Sequence, residues 1–83
     1  MRDSSPIVLG AWHGVPGKPF PPRELECVLY LANGHTYKTT ARALGLSPAT
    51  IAKSLRRAMD RLFVANGKQL IAEAVRTGAI CAF

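Results

Sequence analysis

Four cations lie close together in the stretch LSPATIAKSLRRAMDRL, residues 46–62. They are Lys53, Arg56, Arg57 and Arg61. Lysine and arginine donate hydrogen bonds to phosphate oxygens and to the acceptor atoms of guanine in the major groove of DNA. The same stretch repeats apolar residues at helical spacing, so the cations are expected on one side of a helix. They could bind a polyanion, although a charged helix face is more often simply solvated.

The whole chain is basic, which bears on whether these cations bind a polyanion or are simply solvated. It has 83 residues, 11 Lys or Arg against 5 Asp or Glu, a net charge of +6 and a pI of about 10.0. Between Lys38 and Arg61 the only acid is Asp60, so the positive charge is concentrated in one segment. This favours a negative partner such as nucleic acid, an anionic membrane surface or an acidic protein. A chain of this length forms one small domain, which excludes a second, catalytic domain.

Residues that could bind a metal or catalyse a reaction are sparse. Cys27, Cys81, His13 and His35 lack the spacing of a zinc site, and the cysteines do not form a disulfide scaffold. No catalytic arrangement can be assembled from five acids and two histidines placed as these are, so we expect no enzyme, no cofactor and no small-molecule ligand. No apolar run reaches the ~18 residues of a membrane span, and the N-terminus lacks a signal-peptide pattern. We therefore expect a cytoplasmic protein that makes no membrane contact.

The N-terminal residues 1–19 are predicted to form an extended arm, because prolines and glycines interrupt both helix and strand there. The apolar segment PIVLGAW, residues 6–12, is the exception. It could pack on the rest of the domain, pair with a second chain, or lie loose. Packing on the domain, with Trp12 as its anchor, is the favoured interpretation.

Residues 20–83 are predicted to form an all-α domain of four helices. The helices are expected at about 22–32, 37–44, 48–62 and 68–77. Thr36 and Ser47 are predicted N-caps, because a hydroxyl at that position accepts a hydrogen bond from a free amide of the first turn. Gly45 is expected to end the second helix with a positive φ.

The second and third predicted helices, joined by a short turn that contains glycine, have the form of a helix-turn-helix. The third helix is expected to dock by its apolar stripe and to present its basic side to the major groove. The candidate base-contacting residues are Ala49, Ala52, Lys53 and Arg56. The candidate phosphate contacts are Thr36, Lys38, Thr50, Arg57 and Arg61. Asp60 is expected to pair with Arg56 or Arg57 on the same helix.

The fourth predicted helix has more apolar surface than docking on one domain requires. Its apolar residues spread over roughly 200° of the helical wheel, about twice the stripe of a helix that docks one face. The surplus predicts contact with a second molecule. The candidate residues of that interface are Leu70, Ile71, Ala72 and Val75.

Four stretches of the sequence together resemble a known family. PRELE, LANG, ARALGLSPATIAKSL and DRLFVANGKQLIAEAVRTGAI follow one another without gaps from Phe20 to about Ile80, as in the DNA-binding domain of LuxR-type (GerE-type) bacterial transcription regulators. The resemblance implies a homodimer that binds a two-fold symmetric site in double-stranded DNA, with a dimer contact made largely by the fourth helix. Its base-contacting positions fall on Ala52, Lys53 and Arg56, and its phosphate contacts fall on Lys38 and Thr50.

The resulting hypothesis is a stand-alone bacterial DNA-binding transcription regulator, controlled by its own concentration or by a protein regulator. One alternative is an interaction protein that captures another regulator through the fourth helix and the termini. A further alternative is a promoter-binding module like region 4 of sigma factors. That pattern also has a tyrosine where Tyr37 stands, but it lacks the fourth helix.

Overall fold

The computed structural model describes residues 5–17 and 19–83. Four helices and three short strands follow one another in the chain. They are β1 (Ile7–Leu9), β2 (Trp12–Gly14), α1 (Pro22–Ala32), α2 (Tyr37–Leu44), α3 (Pro48–Leu62), α4 (Gly67–Arg76) and β3 (Ile80–Ala82). The four predicted helices are confirmed, but the prediction of an all-α fold is wrong in detail because the strands form a small sheet.

The predicted N-caps explain why α2 and α3 begin where they do. The Thr36 hydroxyl accepts a hydrogen bond from the Thr39 amide at 3.1 Å, and the Thr39 hydroxyl accepts one from the Thr36 amide at 3.0 Å. The Ser47 hydroxyl accepts from the Thr50 amide at 3.2 Å. Gly45 ends α2 with a φ of 68°, a conformation that glycine adopts without a steric penalty. These local contacts set the turn between α2 and α3.

The N-terminal segment forms a β-hairpin, which corrects the prediction of an extended arm. Strands β1 and β2 pair antiparallel across a two-residue turn at Gly10 and Ala11, and Gly10 has the positive φ of 59° that such turns favour. Strand β2 also pairs antiparallel with β3 from the other end of the chain. Of the predicted arm, residues 1–4 and 18 lie outside the described residues.

The hairpin packs on α1, as the favoured interpretation of PIVLGAW predicts. Trp12 is half-buried against the core together with Ile7 and Leu9. The Asn33 side chain, just after α1, donates hydrogen bonds to the Leu9 and Leu29 carbonyls at 2.9 and 2.8 Å. This single amide therefore ties the end of β1 to the last turn of α1.

The hydrophobic core lies between α1, α3 and α4. Its largest fully buried side chains include Leu25 and Leu29 from α1, Ile51 and Leu55 from α3, and Leu70 from α4. The core also holds Cys27, as its place in the apolar run of α1 predicts. Burial raises the pKa of the Cys27 thiol, so the group stays protonated and packs as a small apolar side chain.

One ion pair joins α1 to α3 across the edge of this core. The Arg61 guanidinium donates from Nε to Glu24 Oε1 at 2.6 Å and from Nη2 to Glu24 Oε2 at 3.1 Å. Glu24 is 5% exposed, so its carboxylate receives these hydrogen bonds from Arg61 where contact with water is scarce. The two hydrogen bonds also raise the pKa of Arg61. This contact gives Arg61 a different role from the predicted phosphate contact, because its guanidinium is held against α1.

The close packing of the hairpin on α1 gives a first prediction. A methyl group on Gly14 would lie 2.7 Å from the Ala79 carbonyl oxygen and 2.9 Å from Leu25 Cδ1. We expect Gly14→Ala to lower the free energy of unfolding by about 1–3 kcal/mol, because backbone must move to make room. Urea unfolding measures the change. The control is Val15→Ala at the next residue, which is exposed. Equal stability of the two variants would contradict the docked hairpin.

The ion pair between α1 and α3 gives a second prediction. Glu24→Gln should lower the free energy of unfolding by about 1–3 kcal/mol, because two charge-assisted hydrogen bonds are weakened. Arg61→Met should destabilise more strongly, because it leaves a buried carboxylate without a partner. The double variant should recover part of that loss in a double-mutant cycle. Strictly additive losses would argue against the pair, and Arg57→Met on the same helix is the control.

Candidate nucleic-acid interface

Helix α3 docks by one side and leaves the other side uncovered. Ile51, Leu55 and Ala58 are buried, whereas Lys53 and Arg56 are exposed. At 100° per residue, Lys53 lies about 160° around the helix from Leu55, which places it directly opposite the core. The amphipathic pattern of the sequence therefore corresponds in the structure to one side of α3 that packs on the core and an opposite side that is exposed to solvent.

The free side of α3 forms one wall of a shallow groove. The four predicted base-contacting residues all line this groove, which the structure thus brings together. Its lining residues are Tyr37, Ala49, Ala52, Lys53, Arg56, Met59, Asp60, Val64 and Ala65. Two of the residues on the α3 wall are alanines, and their small side chains allow a partner to approach the helix backbone closely. A groove with both cations and small apolar groups suits an edge of duplex DNA.

Tyr37 was not among the predicted site residues. It is the first residue of α2, is partly exposed and lines the same groove as Lys53 and Arg56. Its place directly after the predicted N-cap Thr36 is a signal that could have found it, because the first helix of a helix-turn-helix crosses the DNA backbone. A tyrosine there adds a hydroxyl and a flat apolar surface to the groove.

The predicted phosphate contacts Thr36 and Thr50 are exposed, but both hydroxyls already take part in capping. Thr36 accepts from the Thr39 amide, and the Thr50 hydroxyl shares a 3.0 Å hydrogen bond with the Ser47 hydroxyl. Each hydroxyl is fixed at the start of a helix, next to amides that point out of the helix end. Lys38 is exposed in the first turn of α2.

The exposed cations of α2 and α3 other than Arg61 keep their charge available. Within residues 5–17 and 19–83 the ion pairs are Arg23–Glu26, Arg61–Glu24 and Arg76–Glu73. None of these pairs involves Lys38, Lys53, Arg56 or Arg57 in that described part of the chain. The expectation that Asp60 pairs with Arg56 or Arg57 is therefore wrong here. These four cations therefore face solvent without an ion pair in the described residues, and the Asp60 carboxylate lies on the same side of α3.

Helix α4 divides the predicted interface residues between core and surface. Leu70 is fully buried, so it has no surface for a second molecule and its assignment to an interface is corrected. Ile71 is half-buried against the core, Ala72 is exposed and Val75 is 46% exposed. The exposed apolar surface of α4 is thus smaller than the helical wheel predicts, because part of the apolar side of the helix packs on the core of the same domain.

Phe63 is a large exposed residue that the sequence interpretation did not single out. It follows α3 at a φ of 57° and is 96% exposed. The left-handed conformation is uncommon for an aromatic residue, and glycine is the usual choice at the end of a helix. Phe63 lies beside Ala72 and Gln69, on the outward side of α4. It adds apolar surface next to the exposed residues of α4.

Other kinds of site find no support in the described residues. Among residues 5–17 and 19–83, no three His, Cys, Asp or Glu side chains come together as metal ligands. In the same range, no helix has the length and apolar character needed to cross a bilayer. Within the described residues, the groove along α3 combines exposed cations with a concave surface.

Comparison with known proteins agrees with this geometry. Residues 18–74 match the family described as bacterial regulatory proteins, luxR family. The chain is also similar to the transcriptional activator protein CarR of Pectobacterium carotovorum subsp. carotovorum, at 33% identity over 54 residues. That alignment covers 65% of this chain and 22% of CarR, so the chain spans about a fifth of that relative. The resemblance found in the sequence motifs is confirmed, and the chain belongs to the luxR family of bacterial regulatory proteins.

Proposed function

We propose that this protein binds double-stranded DNA through the groove along α3 and regulates transcription. The observation that carries the proposal is the free side of α3, where Lys53 and Arg56 are exposed, unpaired in the described part of the chain, and flanked by small residues. Membership of a regulator family and similarity to a protein named as a transcriptional activator support the same function.

The dimensions of duplex DNA fit this arrangement. The major groove admits one α-helix, and guanine presents two acceptors there that lysine or arginine can contact. We assign this contact to Lys53 and Arg56, while Ala49 and Ala52 permit a close approach and can touch a thymine methyl group. Arg57 extends the basic side toward the flanking phosphates.

The remaining phosphate contacts are assigned to the starts of α2 and α3. Lys38 supplies a cation, and Thr36 and Thr50 place hydroxyls beside helix amides that favour an anion. Arg61 is left out of the assignment because Glu24 holds its guanidinium. The contacts at these helix starts position the protein on the duplex but do not distinguish one base pair from another.

A homodimer with α4 at its centre completes the proposal. Ala72 and Val75 are exposed on α4, Ile71 is half-buried beside them, and Phe63 adds a ring nearby. Two copies related by a two-fold axis would present two α3 helices to a palindromic site, with half-sites one helical turn or a multiple of it apart.

The alternatives are less well supported. The match of residues 18–74 to the luxR family favours this fold over a sigma-factor module. Capture of another regulator through α4 and the termini would use the same exposed apolar residues. That function would not explain why the cations of α3 are exposed and unpaired in the described part of the chain. The proposal also allows a protein partner that controls this protein while it binds DNA.

Selection of bound sequences from random duplex DNA tests the function directly. We expect the selected pool to converge on a palindrome, and its half-site spacing reports the geometry of the dimer. A pool that stays random after several rounds at physiological salt would overturn sequence-specific binding. A selected sequence without two-fold symmetry would overturn the dimer alone.

The residue assignments give a third prediction. Lys53→Ala and Arg56→Ala should each weaken binding to the selected site by about 1–3 kcal/mol and relax the preference at one base pair. Lys38→Ala should weaken binding to all sequences alike and reduce the salt slope by about one. Fluorescence anisotropy titrations at several salt concentrations measure both effects. The assignment of roles is wrong if all three variants lose only non-specific affinity.

The proposed dimer gives a fourth prediction. Val75→Glu should weaken binding to the full palindrome by roughly tenfold or more, because a buried charge at the contact disfavours association. Binding to a single half-site should stay the same. Sedimentation velocity should show a matching loss of dimer. Val15→Glu is the control, because Val15 is similarly exposed but lies after the hairpin. Equal behaviour of the two variants would contradict an α4 interface.

A further inference from the structure

Asp60 stands among the cations on the free side of α3. It is exposed and lines the same groove as Lys53 and Arg56. Asp60 follows Lys53 by seven residues, which is two turns of helix and an angular offset of only about 20°. The carboxylate is therefore part of the surface that would face DNA under the proposed function.

In the described part of the chain, the fold gives the Asp60 side chain no ion pair and no helix-capping role. In residues 5–17 and 19–83 its carboxylate makes no ion pair, although Arg56 and Arg57 are one turn away on the same helix. It also lies in the last turn of α3, where the negative end of the helix dipole disfavours an acid. A charged residue that lowers the stability of its helix and makes no stabilising contact in return is typical of a functional position.

The effect of a carboxylate on DNA binding depends on what it faces. Next to phosphates it reduces the attraction that the neighbouring cations provide, and this reduction applies to every sequence. Next to a base edge it can accept a hydrogen bond from an exocyclic amino group, of cytosine above all. The penalty is then offset only on a site that presents such a group.

From these placements we propose that Asp60 is a specificity-determining residue of the DNA interface. It weakens binding to unrelated DNA by repulsion and recovers affinity on sites that offer a cytosine amino group opposite it. This inference rests on the proposed function, because it requires the free side of α3 to meet DNA.

The test compares Asp60→Asn with Glu26→Gln. Both variants remove one negative charge and keep the size of the side chain, but Glu26 lies on α1, outside the groove, and pairs with Arg23. The affinity of each protein is measured at 0.1 M salt for the duplex selected by the wild type and for a scrambled duplex of the same composition. A second selection with the Asp60→Asn protein shows which base preference changes.

We expect Asp60→Asn to bind the scrambled duplex roughly fivefold more tightly, since one repulsive charge is gone. Its affinity for the selected duplex should stay within about twofold, because the neutral amide oxygen accepts a weaker hydrogen bond from the cytosine amino group than the carboxylate does, and this loss offsets the gain. The ratio of the two affinities should therefore fall about fivefold, and a cytosine preference should weaken in each half-site. Glu26→Gln should change both duplexes by less than about twofold.

Three results would overturn the inference. An unchanged affinity ratio in Asp60→Asn would show that the carboxylate does not contribute to specificity. Equal effects of the two variants would show that only net charge matters. Failure of the wild type to bind any duplex would remove the proposed function and this inference together, whereas the first two results leave DNA binding intact.

Discussion

The packing of α1 against α3 is the contact on which the rest of the structure depends. Helix α3 has a narrow apolar stripe, and α1 covers it with Leu25, Val28 and Leu29 from the same core. The Glu24–Arg61 pair closes the edge of this contact with two hydrogen bonds. Because α3 is held along a single side, its opposite side stays free while the helix keeps a fixed orientation. A surface that binds a rigid duplex needs both properties.

The small sheet extends this support to both ends of the chain. Strand β2 lies between β1 and β3, so the N-terminal hairpin and the C-terminal strand are joined through one shared partner. The inner side of the sheet rests on α1, where Gly14 leaves just enough space for Leu25 and the Ala79 backbone. The sheet therefore stabilises α1, and none of its residues lines the groove.

The sequence predicts those parts of the structure that depend on local chemistry. Helix α3 begins and ends where its cap and its apolar period place it, because Ser47 needs only Thr50, three residues away, to cap the helix. The groove residues of α3 are likewise predictable, since one helix fixes the relative positions of Ala49, Lys53 and Arg56.

Contacts between distant parts of the chain were not predictable in the same way. The pairing of β2 with β3 joins opposite ends of the sequence, and three-residue strands carry too little alternation to be noticed. Glycine at position 10 was interpreted as a breaker, although a hairpin turn uses the same property. The Glu24–Arg61 pair spans 37 residues. Glu24 precedes Val28 by four residues, and this position on the apolar side was a signal that the carboxylate would need a partner.

Neighbouring charges on α3 show why net charge alone is a poor guide to the interface. Asp60 and Arg61 differ by 100° around the helix. That rotation turns the arginine toward Glu24 and the aspartate toward the groove. Arg61, which sequence counting adds to the basic side, is therefore paired with Glu24, while Asp60 stays on the surface without an ion pair in the described residues. Under the proposed function, the attraction between this protein and DNA depends on the few cations that the fold leaves unpaired, and its selectivity depends on the acid among them.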